Sequence, residues 1–103
     1  MIKALNDRRE DLNDLCRRFG VRCLEVFGSA LAEATFDPQR SDIDFLVEFE
    51  PMEPVRHAKS YFGLLAALQD LFARPIDLVE SGAVKNPYLR ESIDKARYQI
   101  YAA

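Results

Sequence analysis

The sequence predicts an α/β (α+β) fold, a small mixed β-sheet of about three strands with helices packed on it. Three observations predict it. Apolar residues repeat at helical spacing near the start of the chain and again after Pro54. Short apolar strands read at Leu24-Glu25-Val26-Phe27, at Ile43 to Phe49 and at Ile76-Asp77-Leu78-Val79. Gly and Pro residues punctuate the joints between these segments, with no internal repeat and no low-complexity linker.

Taken in order, a first helix is expected over about 2–19, with Leu5, Leu12, Leu15 and Phe19 on one stripe and Gly20 placed to end it. A strand over about 22–27 then leads through Gly28 into a short helix at Ser29, carried by the helix-tolerant run Ala30 to Ala34. The loop Thr35 to Arg40, with Pro38 as its breaker, precedes a long strand over 42–49. Pro51 and Pro54 separate that strand from a helix over about 54–73, where Val55, Tyr61, Phe62, Leu65, Leu68 and Phe72 recur at helical spacing. A third strand is expected over 75–80. Asn86 as cap and Pro87 in the first turn start a last helix that runs to about Arg97.

Length and composition set bounds. A chain of 103 residues reads as one domain, 1–103, with a modest core and no room for a second lobe that would recognise an acceptor. Hydrophobic content of 49% and charged content of 30% are those of an ordinary soluble globule. No apolar run approaches the ~20 residues of a membrane span and no signal sequence is read, so a cytoplasmic protein is expected. A net charge of -3 argues against general nucleic-acid binding, which draws on basic patches. Arg8, Arg9, Arg17, Arg18 and Arg22 are interleaved with Asp7, Glu10, Asp11 and Asp14, and Asp14 stands four residues before Arg18, as in a solvated helix face. Cys16 and Cys23 read as reduced core thiols, His57 as a surface residue, and Tyr88, Tyr98 and Tyr101 as packing residues.

The chemistry is concentrated in two short stretches. Val26-Phe27-Gly28-Ser29 is an apolar strand that ends in a glycine turn, where backbone amides can approach a phosphate and the Ser29 hydroxyl can cap a helix or donate to a phosphate oxygen. Ser41-Asp42-Ile43-Asp44 opens the next strand with two carboxylates. Alternation along a strand points Asp42 and Asp44 the same way, roughly 6.5 to 7 Å apart, while Ile43 turns into the core. Two like charges ~4 Å apart repel by about 4 kcal/mol at an effective dielectric near 20, which a proton or a bound cation relieves. Carboxylates suit magnesium, which keeps places for water and substrate phosphates. Asp77, between Ile76 and Leu78, faces away from both and joins this rim if its strand neighbours the first pair. Since Gly28 ends its strand and Asp42 begins the next, both reach one site only if those strands run antiparallel.

At these residues the chain resembles the nucleotidyltransferase superfamily related to DNA polymerase beta, and in the wording Val26 to Ala30 and Arg40 to Phe49 it is similar to the minimal nucleotidyltransferases. Many of these are antitoxins paired with a small helical HEPN-domain toxin. The resemblance extends to the tail, where Asn86 to Ile93 and the closing Ile100-Tyr101 look like the family's last helix. It implies a polymerase-beta palm-like fold, in which Gly28, Ser29, Arg40 and Ser41 hold the nucleotide and Asp42, Asp44 and Asp77 serve as magnesium ligands and catalytic residues, Asp77 also as a proton acceptor. Two magnesium ions would take part during catalysis. It further implies transfer of AMP from ATP to a hydroxyl, in the antitoxin branch a tyrosine of the toxin, with complexes between unlike or like chains. One departure stands out: relatives often carry an arginine shortly after Gly-Ser, where this chain has Leu31, Ala32 and Glu33, which leaves a phosphate-side cation to Arg40. Two other readings are a non-catalytic antitoxin that neutralises by binding, and a small-molecule adenylyltransferase subunit.

Overall fold

Val21, Leu24 and Val26 alternate against Cys23, Glu25 and Phe27, so a strand over Val21–Phe27 (β1) carries one apolar face and one mixed face. In the computed structural model, which describes residues 1–103, β1 is the hub of the sheet. It pairs antiparallel with Ile43–Phe49 (β2) on one side and with Arg97–Ala102 (β4) on the other; Ile76–Glu80 (β3) adds to β2 in parallel, giving the order β3-β2-β1-β4. The helices are Lys3–Asp7 (α1), Arg9–Arg18 (α2), Pro54–Phe72 (α3) and Pro87–Lys95 (α4).

One face of the sheet holds the main core. Leu5, Leu12 and Cys16 from α1 and α2, Leu64 and Leu68 from α3, and Ile43, Phe45 and Val47 from β2 are all fully buried there. Each such aliphatic or aromatic side chain contributes about 1.5–3 kcal/mol by leaving water. The other face is covered only in part. There α4 lays Ile93 onto Phe27 and Leu46, with Val79 and Val84 at the margin, which is why β2 buries residues on both of its faces. Beyond that cluster the face carries Cys23, Glu25 and Glu48, which line a cavity together with Arg90 and Arg97.

Several expectations need correction. The structure has a fourth strand: residues 97–102 pair with β1 rather than closing a helix, with Ala96 extended at φ -150°. Without it, the outer backbone groups of β1 would lack partners, and such groups are costly when buried. The first helix is two helices, because Arg8 leaves helical geometry at φ -109°, ψ 17°; the Ile2 amide ends up donating to the Ala30 carbonyl at 3.0 Å. Asp14 pairs with Arg17 at 3.1 Å, not with Arg18. Along α3 the buried stripe is Ser60, Leu64 and Leu68, while Val55 and Phe62 are 62% and 65% exposed. Of the tyrosines, Tyr101 packs on the core, but Tyr88 is 82% exposed and Tyr98 lies outside with Arg9 over its ring. His57 is half-buried, set against the Phe49 ring and hydrogen-bonded to Glu80. Both cysteines are free, as expected, with Cys16 in the core and Cys23 only partly covered. No helix is long and apolar enough to cross a membrane.

Candidate functional site

The three acids meet where β2 and β3 begin. The register pairs Asp44 with Asp77 on the parallel strands and Phe27 with Asp44 on the antiparallel ones, so both neighbour relations expected from the sequence hold. Register partners sit side by side about 4.8 Å apart. Asp42 lies two residues before Asp44, just ahead of β2, and its charge reaches the Asp44 carboxyl. Asp42 and Asp77 are exposed and Asp44 is half-buried between them.

Crowding has an electrostatic consequence. Burial first, then the charge of Asp77, then that of Asp42, push the Asp44 carboxyl up from 3.8 to about 6. A group held this far above its ordinary range gains from any cation placed on the rim.

Gly28 supplies the space for that carboxylate. Its backbone is left-handed at φ 73°, and a Cβ added there would collide with Asp44 Oδ2. A side chain is therefore excluded twice, by backbone conformation and by the acid that fills its place. Ser29 sits in a single 3₁₀ turn, Gly28–Leu31, and caps no helix with its side chain. The expected helix with its free amides is only this turn, so what remains beside the acids is the glycine backbone and the Ser29 hydroxyl.

The loop from the glycine turn to β2 is tied at both ends. Thr35 Oγ1 donates to the carbonyls of Ser29 at 2.8 Å and Ala32 at 3.1 Å. At the far end the Asp37 amide donates to Ser41 Oγ at 3.0 Å, and the Gln39 amide to Asp37 Oδ1 at 2.9 Å. Ser41 thus already spends its hydroxyl as an acceptor within the loop. Arg40 is exposed and enters none of the ion pairs, leaving its guanidinium available to an anion. Arg74, which the sequence did not single out, donates to Ser41 and Pro38 carbonyls from the start of β3. Its only sequence signal is its place, three residues before Asp77.

The donor set suits magnesium: three carboxylates on one rim, a half-buried one whose charge is disfavoured, and a glycine that clears the approach. The side chains are not gathered into a three-ligand cluster; magnesium takes one or two carboxylates and completes its shell with water and phosphate. In chemical terms the rim offers oxygen donors of the kind a divalent cation takes.

Comparison with known proteins places the chain in a family. The model of the nucleotidyltransferase domain matches residues 8–99. A Methanocaldococcus jannaschii relative, provisionally named a protein adenylyltransferase, is 42% identical over 82 residues, 79% of this chain and 78% of its own length. A second protein of that organism, named in the same way, is 30% identical over 98 residues, covering 91% and 95%. Among solved structures, one provisionally named minimal nucleotidyltransferase is 31% identical with a TM-score of 0.64, covering 93% of this chain and 92% of that one. A tri-AMPylated Shewanella oneidensis HEPN toxin in complex with its MNT antitoxin matches at 18% identity and a TM-score of 0.58, covering 95% and 72%, a likeness of fold. The chain belongs to the nucleotidyltransferase family, and its mixed sheet with flanking helices is that family's fold.

Proposed function

We propose that this protein transfers AMP from ATP to a hydroxyl of a protein partner, a tyrosine of a HEPN-domain toxin, and thereby acts as an antitoxin in the cytoplasm. The observation that carries the reading is the register of Asp44 with Asp77 beside Gly28, two neighbouring carboxylates next to a backbone without a side chain, with the charge of Asp42 also reaching Asp44. The archaeal relatives' names and the fold shared with MNT antitoxins support it.

In this reading the triphosphate lies against the Gly28-Ser29 backbone, with the Ser29 hydroxyl on a phosphate oxygen and Arg40 as the phosphate-side cation. The acceptor oxygen attacks the α-phosphorus, the bond from that phosphorus to the bridging oxygen breaks, and pyrophosphate leaves. Asp77, exposed at the edge of the rim, takes the proton from the attacking hydroxyl or shares in holding metal. Asp42, Asp44 and Asp77 would hold magnesium, which when bound offsets the charge on the leaving pyrophosphate and the attacking oxygen. In this reading the partner presents its own hydroxyl to the rim.

The test incubates the protein with magnesium, α-phosphate-labelled ATP and a HEPN-domain protein. Label on the partner, lost in Asp42→Asn and Asp44→Asn, is the expected result. The departure at Leu31, Ala32 and Glu33 favours a second reading, neutralisation by binding alone. Unlabelled partner in a stable complex that both substitutions leave intact would establish it instead.

A further inference from the structure

One side chain grips the loop that delivers Asp42 to the rim. Arg74 Nη1 donates to the Ser41 carbonyl at 3.1 Å, Nη2 donates to the Pro38 carbonyl at 3.2 Å, and the guanidinium lies over the Phe36 ring at 4.7 Å. The next residue adds a fourth tie, since the Pro75 carbonyl accepts from the Ile43 amide at 3.4 Å. Residues 74–75 therefore hold the loop and first strand residue from 36 to 43, on either side of Asp42, and the same segment runs directly into Asp77.

We propose that Arg74 is a positioning residue of the metal and nucleotide site, fixing Asp42 relative to Asp77 and keeping Arg40 and Ser41 beside the triphosphate. The proposal rests on the nucleotidyl-transfer reading above. Asp42 stands outside β2, so the ladder hydrogen bonds do not hold it. Its own side chain makes no hydrogen bond or ion pair that would place it. Thr35 and Phe36 anchor the start of the loop, but the other ties nearest Asp42, among Asp37, Gln39 and Ser41, are local and move with it. Arginine suits the task because its planar fork can bond two carbonyls while its flat face stacks on an aromatic ring. A lysine in its place keeps the charge but is a point donor that cannot bridge both carbonyls and stack together.

The experiment measures binding of AMP-PNP with and without manganese for the unmodified protein, Arg74→Ala, Arg74→Lys and Asp42→Asn, with thermal melting of each. Groups that orient metal ligands typically contribute about 10- to 100-fold to metal affinity. Arg74→Ala is expected to lose about tenfold or more of the manganese-dependent affinity while metal-free affinity changes less than about twofold, with Arg74→Lys intermediate. Amide exchange at residues 37–41 should quicken in parallel. Equal losses with and without metal would overturn the proposal in favour of a general packing role. Unchanged affinity in Arg74→Ala and Arg74→Lys, with Asp42→Asn impaired, would overturn it and leave the site reading standing. Should Arg74→Ala not fold, Arg74→Lys decides by the same criterion. Unimpaired binding in Asp42→Asn would remove the site reading, and this inference with it.

Discussion

The carboxylate of Asp44 occupies the space that a Cβ on Gly28 would fill. The glycine turn and the acid strand are thus one unit, joined through the Phe27 to Asp44 register pair. Gly28→Ala should have two effects. The left-handed backbone costs an L-residue about 1–2 kcal/mol, and the new methyl group moves the carboxylate. A displacement on the order of 1 Å can cost about 100-fold in rate. Melting curves should show the first effect and labelled-AMP transfer the second; near-normal transfer would separate Gly28 from the site.

Asp44 makes folding pH-dependent in a direction opposite to that of an ion-paired acid. Its folded carboxyl titrates at about 6 against an ordinary 3.8, so the folded chain favours the protonated form. This contribution is fully present below 3.8 and lost as pH rises through about 6. Asp44→Asn should therefore melt higher than the unmodified protein at about pH 7.5, with the difference closing in acid. Magnesium should raise the melting point of the unmodified protein more than that of the variant. A variant that melts lower at every pH would contradict this account.

Asp77 is the largest charge acting on Asp44, after burial. Replacing it with asparagine removes that repulsion and should shift the Asp44 titration downward, read from its carboxyl carbon resonance. An unmoved titration would mean that burial alone sets it.

Gly63 lies in the middle of α3, where an alanine ordinarily gains about 1 kcal/mol of helix propensity over glycine. Here a Cβ would stand 2.6 Å from Cε1 of the Phe19 ring, which caps the contact of α2 with α3. Overpacking of this kind costs about 1–3 kcal/mol. Gly63→Ala should therefore destabilise, and chemical denaturation would show it as a lower midpoint with an unchanged slope.

The C-cap of α3 is Ala73 at φ 51°, ψ 43°, a left-handed position that glycine adopts without steric cost. Ala73→Gly should stabilise by about 0.5–1 kcal/mol, the strain relieved outweighing the freedom added to the unfolded chain. Transfer activity should stay the same, because the Arg74 bonds to the loop remain. A lower denaturation midpoint would refute it.

Where local pattern carried the information, the sequence was readable. β1, β2 and β3 begin and end within about a residue of their expected places, and so does α3, because prolines and glycines mark those joints. β4 was not readable. In Arg97 to Ala102 only Ile100 is buried, so the apolar alternation that marks a strand is thin, and a helix continuing from Pro87 was the simpler extension. Val55 and Phe62 recur at helical spacing with core members of α3, yet they turn outward. Arg74 escaped notice since its partners are backbone carbonyls some 33 to 36 residues away, which no side-chain pattern records.

The sequence by itself determined the chemistry available and the need for the two Asp strands to meet: a glycine turn at a strand end, alternating acids at a strand start, and a lone acid in a third apolar stretch. These are local facts, set by backbone sterics and by the two-residue period of a strand. Only the tertiary structure decided the rest. Parallel pairing of β2 with β3 made Asp44 and Asp77 neighbours, and antiparallel pairing with β1 set Gly28 against Asp44. The shift in Asp44 and the grip of Arg74 follow from that packing. Burial, charge repulsion and long-range hydrogen bonds depend on which distant segments come together, and that is settled by the whole chain folding around one core.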